Sequence, residues 1–125
     1  MKAILEEGTS IYLQIQQAVE DDILNGIIAE EDPIPSTNQF AKHYTINPAT
    51  AAKGVGLLAD DGIVYKKRGI GMYVATGARE IILNKRRQAF HNSFIAIVKQ
   101  AEALGIGKSE LIKMIEEGEL YAGTK

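Results

Sequence analysis

Two helix-start signals stand eleven residues apart in this chain, and they leave little freedom for what lies between them. Ser36 is followed three residues later by Gln39, a capping-box pair in which hydroxyl and amide each satisfy a backbone N–H at a helix N-terminus. Asn47-Pro48 is the second signal: asparagine caps, and proline takes the first helical position, where its missing N–H is harmless. A helix begun at Ser36 must therefore end near His43 or Tyr44, with about three residues around Thr45 and Ile46 before the next one starts. Phe40 and Ala41 face the core from the first helix. Ala51, Val55 and Leu58 form the buried stripe of the second, which Gly62 ends. Two helices joined by so short a turn make a helix-turn-helix, its second helix presented end-on to a partner.

The flanks fit that reading. Apolar residues recur every fourth position from Ser10 onward, at Ile11, Ile15, Val19 and Ile23, and Gly26 closes this first helix. The prolines of IIAEEDPIP (27–35) forbid a helix there and allow at most a short extended piece around Ile34. After Gly62, IVY (63–65) and MYV (72–74) are β-formers joined by KKRGIG (66–71), a hairpin with cations on its arm and glycines at its tip. A helix-turn-helix followed by such a hairpin is a winged helix, the hairpin being the wing. Its glycines permit positive φ and close approach to a surface, while its cations neutralise phosphates. A nucleotide-binding loop is the weaker reading of Gly69-x-Gly71, because the third glycine of that motif is missing and no helix start follows.

The net charge of −2 conceals an uneven distribution. Residues 1–41 carry Lys2 against eight acidic residues, including the clusters Glu20-Asp21-Asp22 and Glu30-Glu31-Asp32. Residues 42–87 carry nine lysines and arginines against Asp60, Asp61 and Glu80. A polyanion responds to the local field of that middle segment more than to the total, although charge alone fits a solvated face equally well. At 125 residues and 46% hydrophobic, the chain has material for a real core. It has no cysteine, which excludes disulfides and thiolate chemistry and fits a reducing cytoplasm. No apolar run reaches the ~18 residues of a membrane span, and MKAILEEG turns acidic too early for a signal peptide. A cytoplasmic protein is expected.

Taken together, IYLQI (11–15), Gly26, IPS (34–36), FA (40–41), INPATAAK (46–53), Leu58, DGI (61–63) and KRGIGMYV (67–74) resemble the DNA-binding domain of GntR-type bacterial transcription regulators. The resemblance covers about residues 10–76 and implies a winged helix-turn-helix that binds operator DNA as a dimer. It makes double-stranded DNA the expected partner. The amino-terminal turn of the recognition helix would enter the major groove, which makes Asn47, Ala49, Thr50 and Lys53 candidates for base-edge or adjacent phosphate contacts. Thr50 matches a DNA contact of the family. Ser36 and Asn38 begin the preceding helix and are placed to hydrogen-bond a phosphate, unless Ser36 is only a cap and Lys53 only a solvated lysine. Lys67, Arg68 and Gly69 form the wing contact, with Arg68 suited to a narrow minor groove. Two positions depart from the family pattern. Asn38 stands where an arginine is usual, removing a fork of donors and a fixed charge. Gly54 and Gly56 lie inside the recognition helix, each costing about 0.5–1 kcal/mol relative to alanine. Close packing against the preceding helix accounts for Gly54; Gly56 has no account.

The last third reads as a helix from Glu80 to about Leu104. Leu83, Phe90, Phe94, Ile97, Ala101 and Leu104 make a heptad-like seam, and Ile82, Ile95 and Val98 make a second stripe. Gly105 and Gly107 break the helix, and a short one follows with Leu111, Ile112, Met114 and Ile115, ending before Gly118. Two helices cover each other only partly, so the surplus apolar surface predicts a homodimer, with recognition helices roughly 34 Å apart on an inverted repeat. The short tail resembles the YtrA-type subfamily, which implies a two-helix dimerisation element and a repressor of an ABC transporter operon. Residues 78–125 are too few to enclose a pocket of ~300 Å³ within one chain, so an effector, if one exists, belongs at the dimer interface. The expected fold class is α+β, mainly α: a winged helix-turn-helix over 1–77, then the dimerisation tail over 78–125. No enzyme, metal or cofactor is expected. His43 and His91 lack partners at metal-ligand spacing, and the acidic clusters lack a calcium-type loop and read as solvated edges. A winged helix that docks protein instead of DNA is the rival reading.

Overall fold

In the computed structural model of the protein, residues 10–123 are described, with side chains as far as Gly118. The amino-terminal stretch MKAILEEG, with Lys2, Glu6 and Glu7, lies outside the described residues. The elements run α1 (Ile11–Leu24), α2 (Thr37–Tyr44), α3 (Pro48–Asp60), β1 (Val64–Lys67), β2 (Gly71–Val74), α4 (Ala78–Ala103) and α5 (Lys108–Gly123). Two compact units result, residues 1–85 and 86–125, with the division inside α4.

The first unit is built on three short helices whose ends are set locally. Ser36 and Gln39 form the capping box of α2, and Asn47 caps α3 with Pro48 at its first position. Only Thr45, Ile46 and Asn47 separate these helices. Thr45 ends α2 with φ at 54°, a left-handed conformation that a β-branched residue rarely adopts. The Ile46 N–H then returns to the Ala41 carbonyl at 2.9 Å. Gly26, at φ 77°, turns the chain after α1, and the Ile27 N–H bonds the Asp22 carbonyl at 2.8 Å.

Ile15, Val19, Phe40, Ala51, Val55, Leu58, Ile63, Val74 and Ile82 lie in one buried cluster. Ile11, expected on the buried stripe of α1, is instead 39% exposed. Helical side chains lean toward the N-terminus, so the first residue of a helix projects past the turn that packs. Gly54 is tightly packed, though against α1 and not against α2 as expected: a β-carbon there would stand 2.9 Å from the Tyr12 carbonyl oxygen. Missing that β-carbon, α3 lets the α1 backbone come close. Around Gly56 there is open space.

The wing is an antiparallel pair, Val64 opposite Val74 and Lys67 opposite Gly71. The extended piece anticipated at Ile34 joins it. Pro33 bridges to Tyr73, and the Ile34 N–H bonds the Met72 carbonyl at 3.0 Å.

In the second unit, the later part of α4 and α5 form a helical hairpin turned by Leu104–Gly107. The Ile106 N–H closes on the Ala101 carbonyl at 2.8 Å. α5 does not stop before Gly118 but continues to Gly123. Glycine inside a helix costs about 1 kcal/mol, yet it keeps its N–H and does not break the ladder as proline does.

Candidate nucleic-acid interface

The candidate contacts fall into three places, all in the first unit. At the start of α2, the Ser36 Oγ accepts from the Gln39 N–H at 3.1 Å, and the Ser36 N–H donates to Gln39 Oε1 at 2.6 Å. The hydroxyl oxygen is thus committed as a cap while its proton remains able to donate. Asn38 is exposed on the first turn beside it. At the start of α3, Asn47 Oδ1 accepts from the Ala49 N–H at 2.8 Å, leaving the amide NH₂ as the outward donor. Asn47 and Ala49 are exposed and Thr50 is half-buried one residue on. Lys53 is exposed too, but it is not a free lysine: its Nζ sits 4.0 Å from the centre of the Tyr12 ring. That cation–π contact draws its charge toward α1.

The third place is the wing. Lys66 and Lys67 belong to β1, so the loop proper is Arg68, Gly69 and Ile70. The Ile70 N–H bonds the Lys67 carbonyl at 3.0 Å, and Gly69 holds φ at 69°, which the third position of such a turn demands of a glycine. Arg68 is carried outward at the tip, while the Lys67 Nζ lies 4.7 Å from the centre of the Tyr73 ring. The structure therefore groups Ser36 with Asn38, Asn47 with Ala49, Thr50 and Lys53, and Lys67 with Arg68 and Gly69. The exposed groups are chiefly hydrogen-bond donors and cations, the chemistry a phosphate backbone accepts.

The acidic clusters are a correction in part. Asp21, Glu30, Glu31 and Asp32 lie exposed as expected, whereas Glu20 and Asp22 are buried, and Glu30 and Glu31 hold specific donors as well as facing water. Glu30 accepts from the Gly77 N–H at 2.9 Å and the Arg79 N–H at 3.2 Å, capping the start of α4. Those two backbone donors hold its carboxyl below the ordinary glutamate range. Glu31 accepts from the Tyr65 hydroxyl and from both the N–H and the hydroxyl of Thr76, which tie the wing to its base and likewise lower its pKa. Glu20, only 1% exposed, pairs with Lys85, whose Nζ also lies 2.9 Å from Asp61 Oδ2. Burial pulls the Lys85 ammonium down, but its two carboxylate partners outweigh that and raise it. None of these residues was singled out as a positioning group, because their partners lie 24 to 65 positions away.

Leu83, Phe90, Phe94 and Ile97 on α4, and Leu104 just past its end, are exposed apolar side chains. Ala101 is not among them: at 4% exposure it is already covered within the chain, having the smallest side chain of the six. Ile82, from the second stripe, is fully buried in the core. Phe94, Val98, Ile106, Leu111, Ile112 and Ile115 line an open groove of about 510 Å³ between α4 and α5. Among the described residues, no helix is long and apolar enough to cross a membrane and no acidic, histidine or cysteine group could hold a metal ion.

Residues 11–74 match the family described as "Bacterial regulatory proteins, gntR family". The chain belongs to the GntR family. It is 28% identical over 110 residues to the HTH-type transcriptional repressor YtrA of Bacillus subtilis (strain 168), across 88% of this chain and 85% of that one. Relatives of both lengths occur: the match spans 91% of the HTH-type transcriptional regulator YhcF of Bacillus subtilis (strain 168) but only 28% of the longer HTH-type transcriptional regulator YurK of the same organism. Among solved structures, a GntR-family transcriptional regulator from Bacteroides thetaiotaomicron is 35% identical with a TM-score of 0.76, covering 90% of this chain and 98% of that one. The AraR DNA-binding domain, solved in complex with operator ORX1, is 26% identical with a TM-score of 0.54, covering 58% of this chain and 94% of that one. As a GntR-family protein the chain is a DNA-binding transcription regulator and not an enzyme. Its two-helix tail places it with the YtrA type.

Proposed function

We propose that this GntR-family regulator acts in the cytoplasm as a homodimeric repressor. It binds an inverted-repeat operator with Asn47, Ala49, Thr50 and Lys53 in the major groove, Ser36 and Asn38 on the phosphate backbone, and Lys67, Arg68 and Gly69 on the wing. The observation that carries this reading is the pairing, in one unit, of an exposed and capped first turn of α3 with a wing tip that holds Arg68 in the open. The domain arrangement follows: residues 1–77 read DNA, and 78–125 dimerise through Leu83, Phe90, Phe94, Ile97 and Leu104. Their exposure supports a partner subunit, since a monomer gains nothing from phenylalanines in water. Repression is supported by the relation to the YtrA repressor. Control of an ABC transporter operon rests on the resemblance to the YtrA type.

Selection from random duplex DNA with the purified protein at near-physiological salt tests this reading. An enriched inverted repeat, bound with a steep salt dependence that weakens on Arg68→Ala, is the expected result. A folded dimer that enriches no sequence overturns it and favours the protein-docking alternative.

A further inference from the structure

Glu31 carries its backbone at φ 68°, in the left-handed region that a residue with a β-carbon rarely adopts and a glycine enters freely. The turn it makes lays the next residues along β2: the Glu31 N–H donates to the Val74 carbonyl at 2.7 Å, and the Val74 N–H donates to the Asp32 carbonyl at 2.8 Å. Glycine would make the same turn without strain. What glutamate adds is its side chain, and strain of this kind persists where other contacts hold it. Here both carboxylate oxygens are engaged. Oε1 accepts from the Tyr65 hydroxyl, and Oε2 accepts from the Thr76 N–H at 3.0 Å and from the Thr76 hydroxyl at 2.7 Å.

Those contacts reach across the wing to β1. Pro33 and Tyr65 both face Tyr73, from opposite edges of β2, so the loop before α2 holds β2 directly and β1 lies beyond it. Yet β1 is the strand that leads straight into Arg68 at the tip. The Tyr65 ring lies 6.5 Å from that of Tyr73, centre to centre, and its hydroxyl extends over β2 to Glu31. Thr76 holds the other oxygen just past the end of β2, so one carboxylate spans the strand entering the wing and the chain leaving it. A two-stranded ribbon twists easily and is barely stable alone. Hydrogen bonds to a charged group are strong and directional, so this brace fixes the angle at which the ribbon leaves the head.

We propose that Glu31 and Tyr65 are positioning residues: their hydrogen bond sets the direction in which the wing presents Arg68, and with it how much affinity the Arg68 contact contributes. An arginine aimed before binding gives up less freedom when DNA arrives, and the saving appears as affinity. The inference rests on the reading of Arg68 as a DNA contact.

The test is a double-mutant cycle on the full chain and its selected operator. In the wild type, Arg68→Ala should lose about tenfold or more in operator affinity. In Tyr65→Phe, which removes one hydroxyl and no charge, the same change should lose about threefold or less. Glu31→Gly should shrink the Arg68 effect in the same way while relieving the backbone; having lost a negative charge, it should also bind unrelated duplex more tightly. Thr50→Ala, on the recognition helix, should cost as much in both variants as in the wild type. Tyr65→Phe answers the question by itself if Glu31→Gly does not fold, which circular dichroism reads. A full tenfold loss from Arg68→Ala in the Tyr65→Phe background overturns the proposal alone. Equal shrinkage of the Thr50 and Arg68 effects means that the whole head has loosened, and overturns it too. An Arg68→Ala change without effect in the wild type overturns the wing reading along with it.

Discussion

Gly54→Ala would put a methyl group where α3 touches α1. The new β-carbon would lie 2.9 Å from the Tyr12 carbonyl oxygen and 3.1 Å from Cβ and Cγ2 of Ile15. Ordinary carbon–oxygen approaches begin at about 3.3 Å, so the helices must part by about 0.4 Å, and the obstacle is backbone that no rotamer change removes. Overpacking of this kind costs about 1–3 kcal/mol. Against it stands the gain in helix propensity, about 0.5–1 kcal/mol, so the net expectation is a loss of up to about 2.5 kcal/mol, centred on about 1 kcal/mol. Gly56→Ala is the internal control: it lies two residues on in the same helix, with nothing within 4 Å of the new carbon. It should stabilise by the propensity gain alone, about 0.5–1 kcal/mol. Urea unfolding followed by circular dichroism reads both, at one fixed protein concentration because a dimer's stability depends on it. The two midpoints should move in opposite directions. If Gly54→Ala rises together with Gly56→Ala, the account of Gly54 as the close-approach point of α1 and α3 fails.

Three other perturbations have signs that follow from the structure. Asn38→Arg restores a guanidinium on the first turn of α2; it should tighten operator binding and steepen the dependence of log affinity on log salt by about 1, and an unchanged slope would remove Asn38 from the phosphate contacts. Phe94→Glu should leave a folded protomer, since Phe94 is 40% exposed there, but should dissociate the dimer and weaken operator binding by burying a carboxylate without a partner. A dimer that persists in sedimentation would rule out the seam. Glu30 and Glu31 have folded pKa values below their ordinary 4.5, so their contribution is fully present above that pH and is lost as the pH falls through the lower folded values. Glu30→Gln should therefore lower stability at neutral pH and flatten the acid limb of the stability profile, measured by thermal unfolding from pH 3 to 7; an unaltered acid limb would contradict the capping role.

What was legible in the chain, and what was not, divides by the distance over which the determining interactions act. The Ser36–Gln39 box, the Asn47-Pro48 start and the glycine-tipped hairpin are settled by residues within four positions of each other, so α2, α3 and the wing could be placed without a structure. Their exposed ends carried the candidate DNA contacts into view for the same reason: a helix N-terminus and a hairpin tip are surface features by construction. Periodicity marked Ile15, Val19 and Ile23 as core but could not tell that Ile11 falls beyond the packed turn. It identified Gly54 as a packing site but named the wrong neighbour. An amphipathic pattern specifies which face is buried and not which element covers it.

The acidic residues illustrate the other side. Glu20, Glu30 and Glu31 have no local signal that separates them from solvated carboxylates, because their partners Lys85, Gly77, Arg79, Tyr65 and Thr76 arrive from 34 to 65 positions downstream. The exposed seam residues on α4 were anticipated from spacing, whereas the burial of Ala101 was not, since a small apolar residue suits either a seam or a covered site. By itself the sequence determined the order of the helices, the capped turn between α2 and α3, and the glycine-bearing wing, because propensity, capping and turn geometry act over a few residues. Only the tertiary structure decided which helix meets Gly54, how the wing and α4 are tied to the head, and that Lys85 joins α1 to α3. Those contacts close long loops, and the folded topology alone says which distant groups meet.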